Sequence, residues 1–197
     1  MGRSGRGRSS HSSRNRTDRD AVSVVAGENV APTFLDELAK SRKSIKATIY
    51  TFDHDRIVDI LREASQRSVD VQLLFDDGQM RLPSCKRQFA KVALLVDAGV
   101  QVRTYTVPGR GYGASLHSKT FLLDSSVLLS GSPNATRNAF ENNWECLLVV
   151  KTASAPKDFE RVFEDLWHRG VAMTAEKLKE YRAQAIVAKG HTSFYME

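Results

Sequence analysis

Hydrophobic positions follow two alternating periods along the first half of the chain. Stretches rich in β-branched and aromatic residues predict strands at residues 21–25, 45–52, 69–75 and 100–106. The segments between them carry apolar residues three and four positions apart, which predicts helices at residues 31–44, 55–68 and 85–99. Strands that alternate with helices indicate a mainly parallel sheet covered on both faces.

Residues at the ends of these helices fit the predicted boundaries. Pro32 suits the first turn of its helix, because proline needs no hydrogen-bond acceptor there. Asp55 is the predicted N-cap of the second helix, and Gly99 is expected just after the third.

The alternation stops after residue 106. A glycine-rich loop at 107–115 precedes two strands, 119–124 and 127–132, which are close enough to form a hairpin. One more strand and two helices are predicted at 144–151, 156–170 and 175–188. A parallel half followed by a hairpin predicts an α/β domain with a central mixed sheet flanked by helices.

Charge is concentrated at the N-terminus. Residues 1–20 hold six arginines and two aspartates, so the rest of the 197-residue chain carries only +2 of the formal +6. We expect a disordered basic tail at 1–20, one domain at 21–188 and a short tail at 189–197. Because the folded body is only mildly basic, net charge alone does not indicate a nucleic-acid partner.

Apolar runs are too short for a transmembrane segment. The first residues are polar and lack the hydrophobic stretch that a secretory signal needs. These features favour an intracellular, soluble protein. The arginine- and serine-rich start keeps mitochondrial import open. The two cysteines, Cys85 and Cys146, lack the spacing of a zinc site, so we expect free thiols and no metal.

Polar residues interrupt the predicted hairpin at fixed places. His117 and Lys119 are two apart, so on a strand both side chains point to the same face. Gly131 and Ser132 end the second hairpin strand, and Asn134 follows it. An imidazole, a cation, a hydroxyl and an amide at one end of a sheet predict a phosphate-binding site.

The spacing H-x-K-x-x-x-x-D, followed by G-S-x-N, resembles the signature of the phospholipase D superfamily, the HKD phosphodiesterases. A trailing N-x-E is matched further along the chain, and the resemblance covers roughly residues 21–170. The matching positions are His117, Lys119, Asp124, Gly131, Ser132, Asn134, Asn143 and Glu145.

Most members of this family carry two such motifs, whereas this chain carries one. It therefore resembles the Nuc-type bacterial endonucleases and the mitochondrial cardiolipin hydrolase/Zucchini group, in which two chains build one site. Chemistry supports a homodimer here too. An in-line displacement needs one imidazole to attack phosphorus and another to protonate the leaving oxygen, and one His117 cannot stand on both sides.

The resemblance implies a mechanism. His117 of one chain attacks the phosphodiester to form a phosphohistidine, while His117 of the other protonates the leaving alcohol and then activates water. Lys119 of both chains neutralises the non-bridging oxygens, and Ser132 and Asn134 donate hydrogen bonds to them. Glu145 is expected to orient the His117 ring.

The resemblance implies no metal and no other cofactor. Asp124 lies at the tight turn of the hairpin, where a structural role is at least as well founded as a catalytic one. Gly131 and Asn143 are motif positions without an assigned chemical step.

The motif leaves the substrate open between nucleic acid and phospholipid. A polar tail stands where the cardiolipin hydrolase group has a hydrophobic segment, and the zinc-binding insertion of its animal members is absent. Both departures favour an endonuclease acting on RNA or DNA. Hydrolysis of cardiolipin or a phosphatidyl lipid is the alternative. A non-catalytic RNA-binding relative is a third reading, which intact His117 and Lys119 oppose.

Two further groups of residues are candidates for substrate contact. Arg110 and Tyr112 precede the motif, and a guanidinium beside an aromatic ring suits a single-stranded polynucleotide, although it also suits a lipid head group. A solvated loop without a substrate role is the alternative. Near the third helix, a basic patch or an ordinary solvated helix face is formed by Arg81, Lys86, Arg87 and Lys91.

Overall fold

The structure is a computed structural model, and it describes residues 21–109 and 113–192. The predicted basic tail at 1–20 and the loop residues Arg110 and Tyr112 lie outside the described residues, as do residues 193–197. Their predicted roles remain predictions.

The described residues form an eight-stranded sheet in the order β1-β7-β6-β5-β2-β3-β4-β8. Only β2, β3 and β4 pair in parallel, and the other neighbours are antiparallel. The strands are β1 Ala21–Ala26, β2 Ser44–Ile49, β3 Asp70–Asp76, β4 Gln101–Tyr105, β5 Lys119–Leu123, β6 Val127–Gly131, β7 Cys146–Lys151 and β8 Val171–Ala172. The predicted mixed sheet is confirmed, but the expectation that it is mainly parallel is wrong outside β2–β4.

Helices lie on both faces of the sheet, as predicted. They are α1 Val30–Ala39, α2 Asp55–Gln66, α3 Asp77–Arg81, α4 Lys86–Asp97, α5 Arg137–Glu141, α6 Ala155–Arg169 and α7 Ala175–Thr192. The sequence pattern missed α3, α5 and β8, since elements of five residues or fewer are too short to show a period. It also ended the last helix at 188, four residues early.

The predicted cap of α2 is wrong by one residue. His54 keeps an extended backbone, and its Nδ1 accepts a hydrogen bond from the Ile57 amide at 3.4 Å. Asp55 is the first helical residue, where its carboxylate still faces the positive end of the helix. Gly99 follows α4 with φ of +81°, as expected of a residue that ends a helix.

Two clusters of buried side chains hold the layers together. Alternate residues of β3 divide between them, since Leu73 and Phe75 belong to the larger cluster while Leu74 belongs to the smaller. The larger cluster joins the sheet to α1, α2, α4 and α7. The smaller one includes Phe163 and Trp167 of α6 on the opposite face.

Both cysteines are free, as predicted. Among the described residues, no helix combines the length and apolar character needed to cross a bilayer.

Candidate active site

His117 and Lys119 lie together at the start of β5. The strand begins at Lys119, so the expectation that both residues lie on it is wrong for His117, which precedes it. The side chains nevertheless meet: Lys119 Nζ lies 3.2 Å from each ring nitrogen of His117 and donates to its carbonyl at 3.0 Å. His117 is exposed and Lys119 is half-buried. The imidazole is therefore open to a ligand with a cation directly beside it.

Tyr50 is a member of this site that the sequence pattern assigned to a strand. Its ring centroid is 4.3 Å from that of His117, and Lys119 Nζ lies 5.0 Å from the same ring. Its hydroxyl accepts a hydrogen bond from Gln79 Nε2 at 2.9 Å. Tyr50 follows β2, whose Ile49 pairs with Lys119, so the antiparallel register brings it to the site.

Asp76 fixes the segment that carries His117. It is 4% exposed, and its Oδ2 accepts the Leu116 amide at 2.7 Å. Its Oδ1 accepts the Gln79 amide at 2.9 Å and so caps α3. One carboxylate thus places both the histidine segment and the glutamine that holds Tyr50. The sequence feature that could have identified Asp76 is its position directly after the predicted hydrophobic strand at 69–75.

Hydrogen bonds among four side-chain hydroxyls link β2, β5 and β6 beneath the site. Thr48 Oγ1 lies 2.7 Å from Ser118 Oγ, which donates to Thr120 Oγ1 at 3.2 Å. Thr120 Oγ1 lies 3.0 Å from Ser130 Oγ. Because Thr48 and Thr120 are buried, these hydrogen bonds supply partners for hydroxyls that would destabilise the fold if left unpaired.

Ser132, Asn143 and Glu145 are joined by side-chain hydrogen bonds. Glu145 accepts a hydrogen bond from Ser132 Oγ and another from Asn143 Nδ2, the latter at 3.0 Å. The expected orientation of His117 by Glu145 is not seen: among the described residues no hydrogen bond joins them. Both carboxylate oxygens of Glu145 have donors within the chain, one of them Ser132, and the roles predicted for Ser132 and Glu145 toward the substrate and His117 remain predictions.

Gly131 allows β6 to approach β7 closely, and Asn134 has a side-chain oxygen that is unpaired within the described residues. A Cβ at Gly131 would lie 2.2 Å from the Cys146 carbonyl oxygen, so the β6–β7 contact requires glycine. Asn134 has a buried Oδ1 without a hydrogen-bond partner in the described chain. A buried amide oxygen of this kind is rare unless a ligand or water completes it.

Burial lowers the pKa of Lys119, and the negative charge of Glu145 only partly opposes that shift. The charge of Glu145 therefore acts on Lys119, although no hydrogen bond in the described part of the chain joins Glu145 to His117. Within the described residues, no three histidine, cysteine, aspartate or glutamate side chains converge as they would around a metal.

Asp124 is built into the scaffold. It has φ of +52° at the β5–β6 turn, and its Oδ1 accepts the Arg42, Lys43 and Ser44 amides at 3.1, 2.7 and 3.0 Å. Burial raises the pKa of Asp124, but these backbone donors outweigh it and hold the pKa below the ordinary value. The carboxylate ties the hairpin turn to the start of β2.

We expect Asp124→Asn to lower stability by on the order of 1 kcal/mol, as loss of a helix cap does, without lowering the rate per folded molecule. The folded pKa is depressed, so the stabilisation is complete above the unfolded pKa and disappears as pH falls through the folded one. Thermal unfolding across pH, with exposed Asp97→Asn as control, should show the difference vanish in acid. Unchanged stability with lost turnover would instead place Asp124 in the chemistry.

The predicted basic patch is divided by ion pairs. Arg81 bonds to Asp77 at 2.7 Å and also donates to Tyr181, while Lys91 pairs with Asp55. Lys86 and Arg87 begin α4 and form no ion pair within the described part of the chain.

Comparisons with known proteins give a family match and a shared fold. Residues 34–167 match the family described as "Cardiolipin synthase, PLD-like domain". The human protein named mitochondrial cardiolipin hydrolase is 29% identical over 143 residues, which cover 73% of this chain and 53% of that protein. This chain therefore spans about half the length of that curated relative.

Two solved structures share the fold. Nuc from Salmonella typhimurium, described as a phospholipase D family member, has a TM-score of 0.70 at 22% identity and covers 79% of this chain and 99% of its own. NucT from Helicobacter pylori has a TM-score of 0.67 at 19% identity, with coverages of 78% and 99%. At these identities the likeness concerns the fold.

Proposed function

Since this chain belongs to the phospholipase D superfamily, we propose that it is a metal-independent phosphodiesterase whose active site is shared by two copies of the chain. The observation that carries the proposal is the contact between exposed His117 and half-buried Lys119 at one end of the sheet. An accessible nucleophile with a fixed cation at 3.2 Å suits attack on a phosphate anion.

The proposed reaction has two displacements. A ring nitrogen of His117 attacks phosphorus and expels the alcohol, whose oxygen takes a proton from His117 of the second chain. Water then attacks the phosphohistidine, gives its proton to that second imidazole and releases the first histidine. Lys119 balances charge on the non-bridging oxygens, and the side-chain amide nitrogen of Asn134 donates a hydrogen bond to them.

An uncovered apolar face beside the site supports the second copy. Val25 packs against the larger core cluster, so Val22 and Val24 of β1 point to the opposite face of the sheet, where they are 58% and 67% exposed. Leu148 of β7 pairs with Val24 and is 38% exposed, and Trp144, next to Glu145, is 84% exposed. An exposed apolar surface that adjoins an incomplete site suits a two-fold contact with another copy.

A polynucleotide is the substrate we favour. The sequence features that resemble Nuc-type endonucleases support an endonuclease acting on RNA or DNA. The alternative is hydrolysis of cardiolipin or a phosphatidyl lipid, which the name of the human relative supports. On the same basis we propose the mitochondrion as an alternative location. A non-catalytic RNA-binding role is opposed by the intact contact between His117 and Lys119.

We expect turnover to survive EDTA, because lysines stand where a two-metal nuclease would place its cations. The test incubates the full-length protein and EDTA with single-stranded RNA, single-stranded DNA, duplex DNA and cardiolipin vesicles in separate reactions. Cleavage of a polynucleotide in EDTA supports the proposal. Release of lipid products alone would favour the alternative, and turnover that EDTA abolishes and Mg²⁺ restores would contradict the mechanism.

A further inference from the structure

A cleft of about 470 Å³ opens between the end of β2 and the start of α4. Two segments that leave the active site line it. Thr51 follows Tyr50, whose ring contacts His117, and Thr136 lies two residues after Asn134. The cleft therefore adjoins the phosphodiesterase site.

The cleft is equipped for an anion. Lys86 and Arg87, the first two residues of α4, line it and form no ion pair among the described residues. Cys85, at the N-cap, does not cap the helix, since its thiol donates instead to Gln79 Oε1 at 3.3 Å, and the first turn contains no acidic residue. Cations at the positive end of a helix repel its dipole, so an anion that binds there relieves the repulsion. Asp53 also lines the cleft and accepts the Arg137 amide at 2.9 Å.

Gln88 gives a second, independent indication of a binding site. It lines the same cleft, is 3% exposed, and its Oε1 accepts the Phe52 amide at 2.9 Å. Its Nε2 is buried without a hydrogen-bond acceptor. Buried donors almost always have a partner, so this amide is suited to an acceptor atom that enters the cleft.

We propose that this cleft binds a second phosphate of a single-stranded polynucleotide whose scissile phosphate lies at His117 and Lys119. The proposal rests on the proposed phosphodiesterase function and specifies its substrate. A polynucleotide presents phosphates at regular intervals along its backbone, and two cations, an amide and three hydroxyls of the lining can contact them, while the one carboxylate, Asp53, already accepts the Arg137 amide.

The test uses the double variant Lys86→Gln/Arg87→Gln in the full-length protein. We expect its KM for a single-stranded oligonucleotide to rise about tenfold, and the slope of log KM against log salt to fall by about 1. The kcat for the oligonucleotide and all kinetics with bis(p-nitrophenyl) phosphate should stay unchanged, since that small diester cannot reach both sites.

The matched control is Lys157→Gln/Arg161→Gln, which removes the same charges from a cleft at the start of α6. It should leave oligonucleotide KM unchanged. An equal KM increase in both double variants would overturn the proposal, because it would show a general charge effect. If Lys86→Gln/Arg87→Gln lowered activity only on cardiolipin vesicles, that result would also overturn the proposal, since the cleft would then bind a phosphate of a lipid.

A binding measurement separates this proposal from the proposed function. In a His117→Ala background, fluorescence anisotropy with a labelled single-stranded oligonucleotide needs no turnover. Weaker binding after Lys86→Gln/Arg87→Gln, but not after the control substitutions, supports the cleft even if no diester is hydrolysed. Equal affinity of the two double variants would refute the cleft even if the enzyme is active.

Discussion

Replacement of His117 by alanine is expected to lower phosphodiester cleavage by about 10⁴-fold or more, because a homodimer loses its nucleophile and its general acid together. His117 is exposed and precedes β5, so the substitution leaves no cavity in the core. Thermal unfolding should therefore match that of the wild type while kcat falls. The measurement is single-turnover cleavage of a labelled substrate at saturating enzyme.

His168→Ala is the matched control for that substitution. His168 is also exposed and bonds to the Glu164 carbonyl within α6, away from the site residues described above. It should retain wild-type turnover. Residual activity of His117→Ala within a few fold of wild type would show that this imidazole is not the nucleophile.

Lys119→Met is expected to lower kcat about 100-fold, which corresponds to about 3 kcal/mol of lost transition-state stabilisation. Methionine keeps most of the side-chain length, so the packing against Tyr50 survives while the charge beside His117 is removed. Steady-state kinetics should show a larger change in kcat than in KM if the lysine acts mainly on the developing charge.

The pH profile distinguishes a catalytic charge from a solvated one. Burial lowers the pKa of Lys119, so wild-type kcat should fall on the alkaline side below the ordinary lysine range as the ammonium loses its proton. Lys119→Met should lack that alkaline limb. Exposed Lys43→Met should keep both the rate and the limb. A near-normal rate for Lys119→Met would contradict the assignment.

Local sequence patterns predicted the layers of this fold better than their connections. The helices α1, α2, α4 and α6 follow from apolar periodicity, since each buries one face against the sheet. The order of the strands depends on pairing between distant segments, such as β1 with β7, which no local period encodes. That is why a mainly parallel sheet was expected where most pairings are antiparallel.

The site shows the same division. Motif spacing predicted that His117 and Lys119 meet, and the hairpin turn made a structural role for Asp124 at least as well founded as a catalytic one. Tyr50 and Asp76 were missed because their contacts cross 67 and 40 residues of sequence and depend on the β2–β5 register and on a buried carboxylate. The role of Glu145 toward His117 stays a prediction for the two-chain site. Within one chain its oxygens accept hydrogen bonds from Ser132 and Asn143, contacts that motif spacing does not reveal.

The central claim, one active site built from His117 of two chains, is tested most directly by mixing wild-type and His117→Ala chains and allowing subunit exchange. Each heterodimer would lack one of the two required imidazoles. With a ninefold excess of the variant, random pairing leaves wild-type chains mostly in heterodimers, so cleavage should fall to about one tenth of its value before exchange. Cleavage that stays constant through exchange would show that each chain acts alone and would contradict the account.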